Sequence, residues 1–459
     1  MPPENDTICA VSSPTGEGGI GIIRMSGPSS RAVLRALFRP RKRVRSFASH
    51  RLYLGFIFDP ATRADVDEVF AVFMDPPRTY TREEMAEVYS HGGPASQKAI
   101  LDLMTGLGAR LAEPGEFTRR AFESGRIDLA QAESVLDIIQ SESEDELRCA
   151  LSHVKGALSE RVNGVKGAIT SLLAEVEAEI DFPEEELESD LSGRRERIEA
   201  VRLDLESPIA SYDEGRALKA GVDVLIVGRT NVGKSSLLNA LARRERAIVT
   251  PLPGTTRDLV EDTVRIKGVK FVLTDTAGLG RAADAIEKEG MERVMRRIPE
   301  ADIVLWVVDS SQPYGEADED VYTAIREKTT IAVLNKADLP ERIEADRMDS
   351  KGVRMVVHTS ALTGSGLDAL RAGLYEVFTD RGHRGAALLV TNVRHRDALV
   401  KADEALARAC LRLGEGPGGG AEFLAFELRD ALASLGAITG ETATEEVLAE
   451  IFSRFCIGK

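Results

Sequence analysis

Aromatic side chains are scarce, at 5% of the chain with a single tryptophan, and there are only four cysteines. Cys9, Cys149, Cys410 and Cys456 stand far apart with no CxxC spacing, which argues against a zinc ribbon or a disulfide framework and suggests four reduced thiols. No run of eighteen apolar residues occurs, so no membrane span is expected, and Met1 to Asp6 lack the basic-then-apolar layout of a secretory signal. A cytoplasmic protein is expected. Positive charge is also short: 59 Lys and Arg against 75 Asp and Glu leave a net charge of -16. Such a surface repels bulk nucleic acid, so any RNA must be met by a local basic patch or brought by a partner. The stretch Arg39-Pro40-Arg41-Lys42-Arg43-Val44-Arg45 is a candidate patch, although charge runs read first as solvated loops.

What is present is enough apolar material, 43% of 459 residues, for two to four domains. Residues 1–118 alternate short β-like runs (Ile20 to Met25, Leu52 to Phe58, Glu68 to Phe73) with Pro and Gly turns, the texture of a small α+β domain. Residues 119–217 turn helical, with Leu129, Ala132, Leu136 and Ile139 on one stripe and Leu147, Leu151, Val154 and Leu158 on the next. Residues 218–380 alternate apolar runs (Val222 to Val227, Phe271 to Thr274, Ile303 to Val308, Ile331 to Leu334) with helical segments, which implies a mainly parallel sheet covered on both faces. Residues 381–459 are helical again, with Leu424, Leu428, Ala431 and Leu435 on one face. Amphipathic stripes need partners, and the simplest solution packs the two helical segments together. The α/β block is then an insertion in one discontinuous helical domain.

Gly228-Arg229-Thr230-Asn231-Val232-Gly233-Lys234-Ser235 matches GxxxxGK[ST] between an apolar strand and a helical run. Its glycines let backbone amides reach phosphates, Lys234 reaches the β and γ phosphates, and the Ser235 hydroxyl suits Mg2+. Three elements follow in the order that a GTPase requires. Thr256, in Gly254-Thr255-Thr256-Arg257-Asp258, can close over the γ phosphate and complete the Mg2+ shell. Asp275, in Asp275-Thr276-Ala277-Gly278, can hold the metal through water while the Gly278 amide senses the γ phosphate. Asn335-Lys336-Ala337-Asp338 selects the base: the Asp338 carboxylate accepts from guanine N1-H and its amine, whereas adenine offers neither donor. Ser360-Ala361 fits the last base-contacting loop.

Leu279 and Gly280 stand where many small GTPases carry a water-orienting Gln, so hydrolysis needs another group. Asp284, Glu287 and Glu289 are candidates, each with a solvated helix surface as its plainer reading. The Asn231 side-chain carbonyl can hold a monovalent cation and so supply positive charge at the phosphates. Two other patterns carry little. Gly16-Glu17-Gly18-Gly19-Ile20-Gly21 spells a dinucleotide fingerprint, but a β-like run and Pro28 follow it where a helix should begin. Cys456-Ile457-Gly458-Lys459 has Gly at an aliphatic position and ends in Lys, unlike a prenylation box.

With these elements in place, the whole chain resembles the MnmE (TrmE) family of bacterial tRNA-modifying GTPases. The resemblance rests on Asn5-Asp6-Thr7-Ile8, Gly18-Gly19-Ile20-Gly21-Ile22-Ile23-Arg24, His91-Gly92-Gly93-Pro94, Pro114-Gly115-Glu116-Phe117-Thr118-Arg119-Arg120-Ala121-Phe122, Asp128-Leu129-Ala130-Gln131-Ala132-Glu133, Ile180-Asp181-Phe182-Pro183-Glu184-Glu185, the GTPase elements and the tail Phe455-Cys456-Ile457-Gly458-Lys459. It implies a homodimer, and an N-terminal domain that dimerises and binds a 5-formyl- or 5,10-methylene-tetrahydrofolate. An FAD-dependent partner, MnmG, would join it in a heterotetramer, and together they would add an aminomethyl or carboxymethylaminomethyl group at C5 of the wobble uridine of certain tRNAs.

By matched position the resemblance places folate contacts on Arg24, Glu87, Arg126 and Lys459, and a guanidinium is chemically suited to grip folate carboxylates. It makes Glu287 the general base and places K+ between Asn231, Thr250, Leu252 and Thr255, with Mg2+ on Ser235 and Thr256. The GTP- or GDP-contacting set becomes Asn231, Val232, Gly233, Lys234, Ser235 and Ser236; Thr250, Pro251, Leu252, Pro253, Gly254, Thr255 and Thr256; Asp275, Thr276, Ala277 and Gly278; Asn335, Lys336, Ala337 and Asp338; and Ser360, Ala361 and Leu362. Gly280 stands where some members carry Arg, and Cys456 matches the tail cysteine, near the site of modification. The competing reading is a regulatory GTPase of ribosome assembly that binds ribosomal RNA without base chemistry. Such a protein would usually append a basic module, which this acidic chain lacks.

Overall fold

The structure is a computed structural model that describes residues 6–14, 16–182, 191–243, 261–275, 297–343, 348, 351–380, 389–413 and 420–459. The chain divides into two compact units: Met1–Gln140 with Ala150–Arg202 and Lys401–Lys459, and Ser141–Cys149 with Leu203–Val400.

The first unit opens with β1 (Ile8–Val11), β2 (Gly18–Ser26), α1 (Ser30–Leu37), β3 (Phe38–Pro40), β4 (Arg51–Phe58), β5 (Asp65–Met74), β6 (Met85–Gly92), α2 (Pro94–Gly106) and β7 (Arg110–Leu111). The seven strands form one sheet in the order β3-β4-β5-β6-β2-β1-β7, antiparallel except where β1 meets β7. Strand alternation sorts its side chains. Val69, Ala71, Phe73, Ile23, Met25 and Val88 pack with Leu34, Leu37, Ile100 and Met104 of α1 and α2. The other face keeps Leu52, Leu54 and Phe70 exposed, with Leu54 and Phe70 directly opposite each other. Gly18 lies in β2 beside Gly92, where a Cβ would sit 2.2 Å from the Gly18 carbonyl, so the fingerprint-like run 16–21 enters a strand and not a phosphate-binding turn.

Helices follow: α3 (Glu116–Glu123), α4 (Leu129–Gln140), α5 (Glu144–Val154), α6 (Ala157–Asp181), α7 (Leu191–Ala210) and α8 (Tyr212–Ala220). Late in the chain come α12 (Val393–Leu413), α13 (Gly420–Thr439) and α14 (Glu445–Ser453). Here α13 packs along α6, and Leu129 and Ala132 of α4 meet Leu448, Phe452 and Phe455. Arg202 holds Asp403 at 2.8 Å. The helical domain is therefore discontinuous, as its stripes require. One stripe is corrected: Leu147 and Leu151 are exposed, because α5 turns Ala150 and His153 inward and Gly156, at φ 97°, separates it from α6. Ile139 is exposed as well.

The tail closes back on the N-terminal sheet. Ile457 bridges Pro114, the Phe117 amide donates to the Lys459 carbonyl at 3.2 Å, and the Ser12 hydroxyl donates to the Gly458 carbonyl at 2.9 Å. Gly458 has φ 91°, and a Cβ there would lie 2.4 Å from the Val11 carbonyl.

The second unit carries β8 (Val222–Val227), α9 (Lys234–Arg243), β9 (Glu261–Ile266), β10 (Val269–Asp275), β11 (Ile303–Asp309), α10 (Glu316–Ile325), β12 (Thr330–Asn335), β13 (Met355–His358) and α11 (Leu367–Asp380). Its sheet runs β13-β12-β11-β8-β10-β9, parallel apart from the antiparallel β9. Both faces are buried: Val224, Ile226, Leu305 and Val333 pack with α9 and α11, while Leu225, Val227, Trp306 and Leu334 pack with α10. The fold is thus an α+β N-terminal domain, a discontinuous α-helical domain and an inserted α/β P-loop GTPase domain. No helix among the described residues is long and apolar enough to cross a membrane.

Candidate functional site

The loops that follow β8, β10, β11, β12 and β13 lie at the carboxyl ends of five parallel strands, where an open α/β sheet holds its ligands. The phosphate loop runs from β8 into α9. Gly228 lies against β11, with the Val307 carbonyl 2.3 Å from where a Cβ would stand. Asn231 and Gly233 adopt φ of 61° and 96°, the left-handed region that turns successive amides toward one centre. Lys234 is 8% exposed and donates to the carbonyls of Gly228 and Arg229, both at 2.8 Å. Burial lowers its pKa, and Asp275 opposes that shift. The Ser235 hydroxyl donates to Asp275 Oδ2 at 2.6 Å, which brings together two hard oxygens of the kind Mg2+ takes.

The base-reading end is equally constrained. Asn335 donates through Nδ2 to the Val232 carbonyl at 2.9 Å and accepts the Ala361 amide at 3.1 Å, locking the phosphate loop to the last loop. Lys336 Nζ donates to the Asn231 carbonyl at 3.0 Å and to Asp309 Oδ2 at 2.7 Å. Burial works to raise the Asp309 pKa, but Lys336 and Ser311 outweigh it and hold the carboxyl below its ordinary value. Asp338 is exposed, and the Ser360 hydroxyl steadies one of its oxygens, leaving acceptor capacity for a guanine edge. Residues 231–236, Asp275, 335–338 and 360–362 are thereby gathered at one end of the sheet. Thr250 to Thr256, Thr276 to Gly278 and Glu287 lie outside the described residues, so Asn231 is the one described member of the K+ set. Sequence reasoning missed Asp309, although an acid that ends an otherwise apolar strand is a visible signal.

A second polar cluster lies in the other unit. Arg24 of β2 and Glu87 of β6 are register partners, and Arg24 Nε meets Glu87 Oε1 at 2.7 Å. The Tyr89 hydroxyl donates to Glu87 Oε2 at 2.7 Å, and burial together with that carboxylate pushes the Tyr89 pKa up to about 12. The Arg24 guanidinium stands 5.8 Å from the ring centres of Tyr80 and Phe117, and that of Arg126 stands 4.7 Å from Tyr80. Phe117 carries the Lys459 carbonyl on its amide. The four expected folate positions are thus linked through Tyr80 and Phe117. Arg24 is paired with Glu87, whereas Arg126 opens on a cavity of about 450 Å³ lined also by Phe122, Asp128, Asn163 and Glu441. Cys456 is exposed. Of the basic stretch, Arg39 pairs with Asp65 and Arg41 with Glu68, which reduces its net charge toward RNA.

Residues 129–456 match the family model described as MnmE helical domain, and residues 7–126 match that of GTP-binding protein TrmE N-terminus. The tRNA modification GTPase MnmE of Geobacter metallireducens is 45% identical over 464 residues, covering 99% of each chain. That of Natranaerobius thermophilus is 42% identical over 462 residues, again covering 99% of each. The chain belongs to the tRNA modification GTPase MnmE family. As an MnmE-family protein it is a GTP hydrolase. In the loop cluster just described, Lys234 rests on loop carbonyls and Ser235 on Asp275.

Proposed function

We propose that this protein is a K+-stimulated GTPase that, with an FAD-containing MnmG-type partner, installs an aminomethyl or carboxymethylaminomethyl group at C5 of the wobble uridine of certain tRNAs. A tetrahydrofolate derivative would supply the carbon. One observation carries the reading: the GxxxxGK[ST] loop with its NKxD partner, and a separate cluster of Arg24, Glu87, Arg126 and the docked tail, occur in one chain. The second cluster has no use in a GTPase that only switches.

The division of labour would follow the chain. Residues 1–118 would bind folate and dimerise, 218–380 would turn over GTP, and 119–217 with 381–459 would form the helical body. The exposed outer-sheet side chains Leu52, Leu54 and Phe70 support a homodimer contact there. In the GTPase, Ser235 and Thr256 would hold Mg2+, which supplies positive charge to the phosphates, and Asn231, Thr250, Leu252 and Thr255 would hold K+. Lys234 would leave the Gly228 and Arg229 carbonyls for the phosphates. Asp338 would read guanine, and Glu287 would orient the attacking water. Cys456, exposed on the docked tail, would lie near the modified base.

Digestion of tRNA from a deletion strain to nucleosides tests the chemistry: the modified wobble uridine should disappear. An unchanged profile would sink the proposal and favour a ribosome-assembly GTPase. The ion assignment predicts faster GTP turnover in K+ than in Na+, and equal rates would refute it.

A further inference from the structure

The phosphate loop holds two residues in the left-handed region, Asn231 and Gly233, a conformation that a residue with a Cβ such as Asn231 adopts at a cost. Such a shape persists only where its surroundings hold it. Most of the anchors belong to the nucleotide-binding elements themselves: Lys336 on the Asn231 carbonyl and Asn335 on the Val232 carbonyl. Arg229 is held from elsewhere. Its carbonyl accepts Lys234 Nζ at 2.8 Å, and its Nε lies 3.4 Å from Asp318 Oδ1, in the first turn of α10.

Asp318 is 1% exposed. Its Oδ2 accepts the Gly315 amide at 3.1 Å and so caps α10, while its Oδ1 accepts no hydrogen bond from the described residues. A buried carboxylate oxygen without a hydrogen bond is costly, and here a guanidinium beside it offsets the charge. One oxygen therefore serves the helix, and the other faces the shoulder of the phosphate loop.

We propose that Asp318 is a positioning residue for nucleotide binding, bracing Arg229 so that the first turn of the phosphate loop is formed before GTP or GDP enters. The brace acts by preorganisation: a loop already ordered loses less conformational freedom on binding. It should leave the chemical step alone, because the Arg229 side chain is taken up by Asp318 and neither residue is among those assigned to Mg2+, K+ or the attacking water. Asp318 lies outside every nucleotide-binding motif in the sequence.

Asp318→Asn in the full-length protein separates the two roles of the side chain. The amide oxygen still caps Gly315, but the charge facing Arg229 is gone. Fluorescent-GDP titration and GTP hydrolysis should show affinity weakened about tenfold, equivalent to about 1.4 kcal/mol, with KM raised alike, kcat within about twofold and the melting temperature retained. Arg229→Ala should weaken GDP binding by a similar factor, and the double variant should be no weaker than either single one. Parent-like nucleotide affinity in Asp318→Asn, with loss only in a destabilised Asp318→Ala, would reduce Asp318 to a helix cap. Tighter binding in Asp318→Asn would make Arg229 a phosphate ligand that Asp318 restrains. Either result, or additive losses in the double variant, overturns the brace.

Discussion

The two polar clusters of this chain are built on opposite plans. In the GTPase domain the groups proposed to face the nucleotide follow parallel strands: Lys234 and Ser235 after β8, Asp275 at the end of β10, Asp309 at the end of β11, Asp338 after β12 and Ser360 after β13. The strands run the same way, so short contiguous strings of sequence converge without further arrangement. In the N-terminal sheet, Arg24 and Glu87 come from the interiors of antiparallel neighbours and meet because the register sets them opposite each other, sixty-three residues apart in sequence. Arg126 joins from a turn between helices, and Lys459 joins because the tail docks. A strand-end site depends on local motifs, whereas a register site depends on the tertiary fold. Each can be broken separately.

The largest effect should come from a strand-end residue. Asp338→Asn exchanges two acceptor oxygens for one acceptor and one donor, so the guanine amine loses its partner and faces another N–H group. GTP affinity should fall at least about a hundredfold, because an unpaired polar group in a base site is strongly penalised. Xanthosine triphosphate, with a carbonyl where guanine has its amine, should bind the variant better than GTP does, and competition titration measures both. Retained GTP preference would mean that Asp338 does not read the base. The Arg24–Glu87 cluster, in the other unit, should be untouched.

A middle-sized effect should come from the docking contact that the second plan needs. Gly458→Ala places a methyl at φ 91°, 2.4 Å from the Val11 carbonyl, and should destabilise the tail contact by about 1–3 kcal/mol. Trp306, the single tryptophan, is fully buried in β11, so its fluorescence reports the GTPase domain while circular dichroism reports both units. Only the dichroism transition should move, and amide exchange at Phe117 should speed up. A shift in the Trp306 transition of the same size would show that the two units are not separable in this way.

The same contrast explains what could be read from the residues alone. Gly228 to Ser235, Asp275 and Asn335 to Asp338 stood out because each string carries its chemistry within a few positions, and the apolar runs Val222 to Val227 and Ile303 to Val308, spaced by helical segments, marked the strands on which they ride. Arg24 and Glu87 came only by resemblance, and nothing local announces that they pair, since register is a property of two strands at once. Leu147 and Leu151 misled for a related reason. Their spacing is helical, but which face a helix buries is decided by its neighbours, and Ala150 and His153 are the residues turned inward. Asp318 was invisible because a first-turn acid has an ordinary explanation as a cap, and only its second oxygen points elsewhere.

The smallest effect is electrostatic, and it concerns the ion network near the tail contact. Glu116 is 5% exposed and accepts Arg110 at 2.6 Å, Arg120 at 3.1 Å and the Glu113 amide at 2.8 Å. Asp6 takes Arg110 at 2.8 Å and Arg120 from its other side. Burial would raise both carboxyl pKa values, but the two guanidiniums outweigh it and hold both below their ordinary values. A carboxylate with a lowered folded-state pKa contributes stability that is present in full above its unfolded value, about 4, and is lost as pH falls through the lower folded value. The dichroism transition of the N-terminal unit should therefore stay level from neutral pH to about 5 and decline below about 4. Glu116→Gln should lower that transition at pH 7, by about 2 kcal/mol for a lost charged acceptor, and should flatten the decline in acid because one of the titrating groups is gone. An undiminished slope in Glu116→Gln would assign the acid sensitivity to other groups, and with it remove the reason for treating this network as part of what holds the N-terminal cluster together.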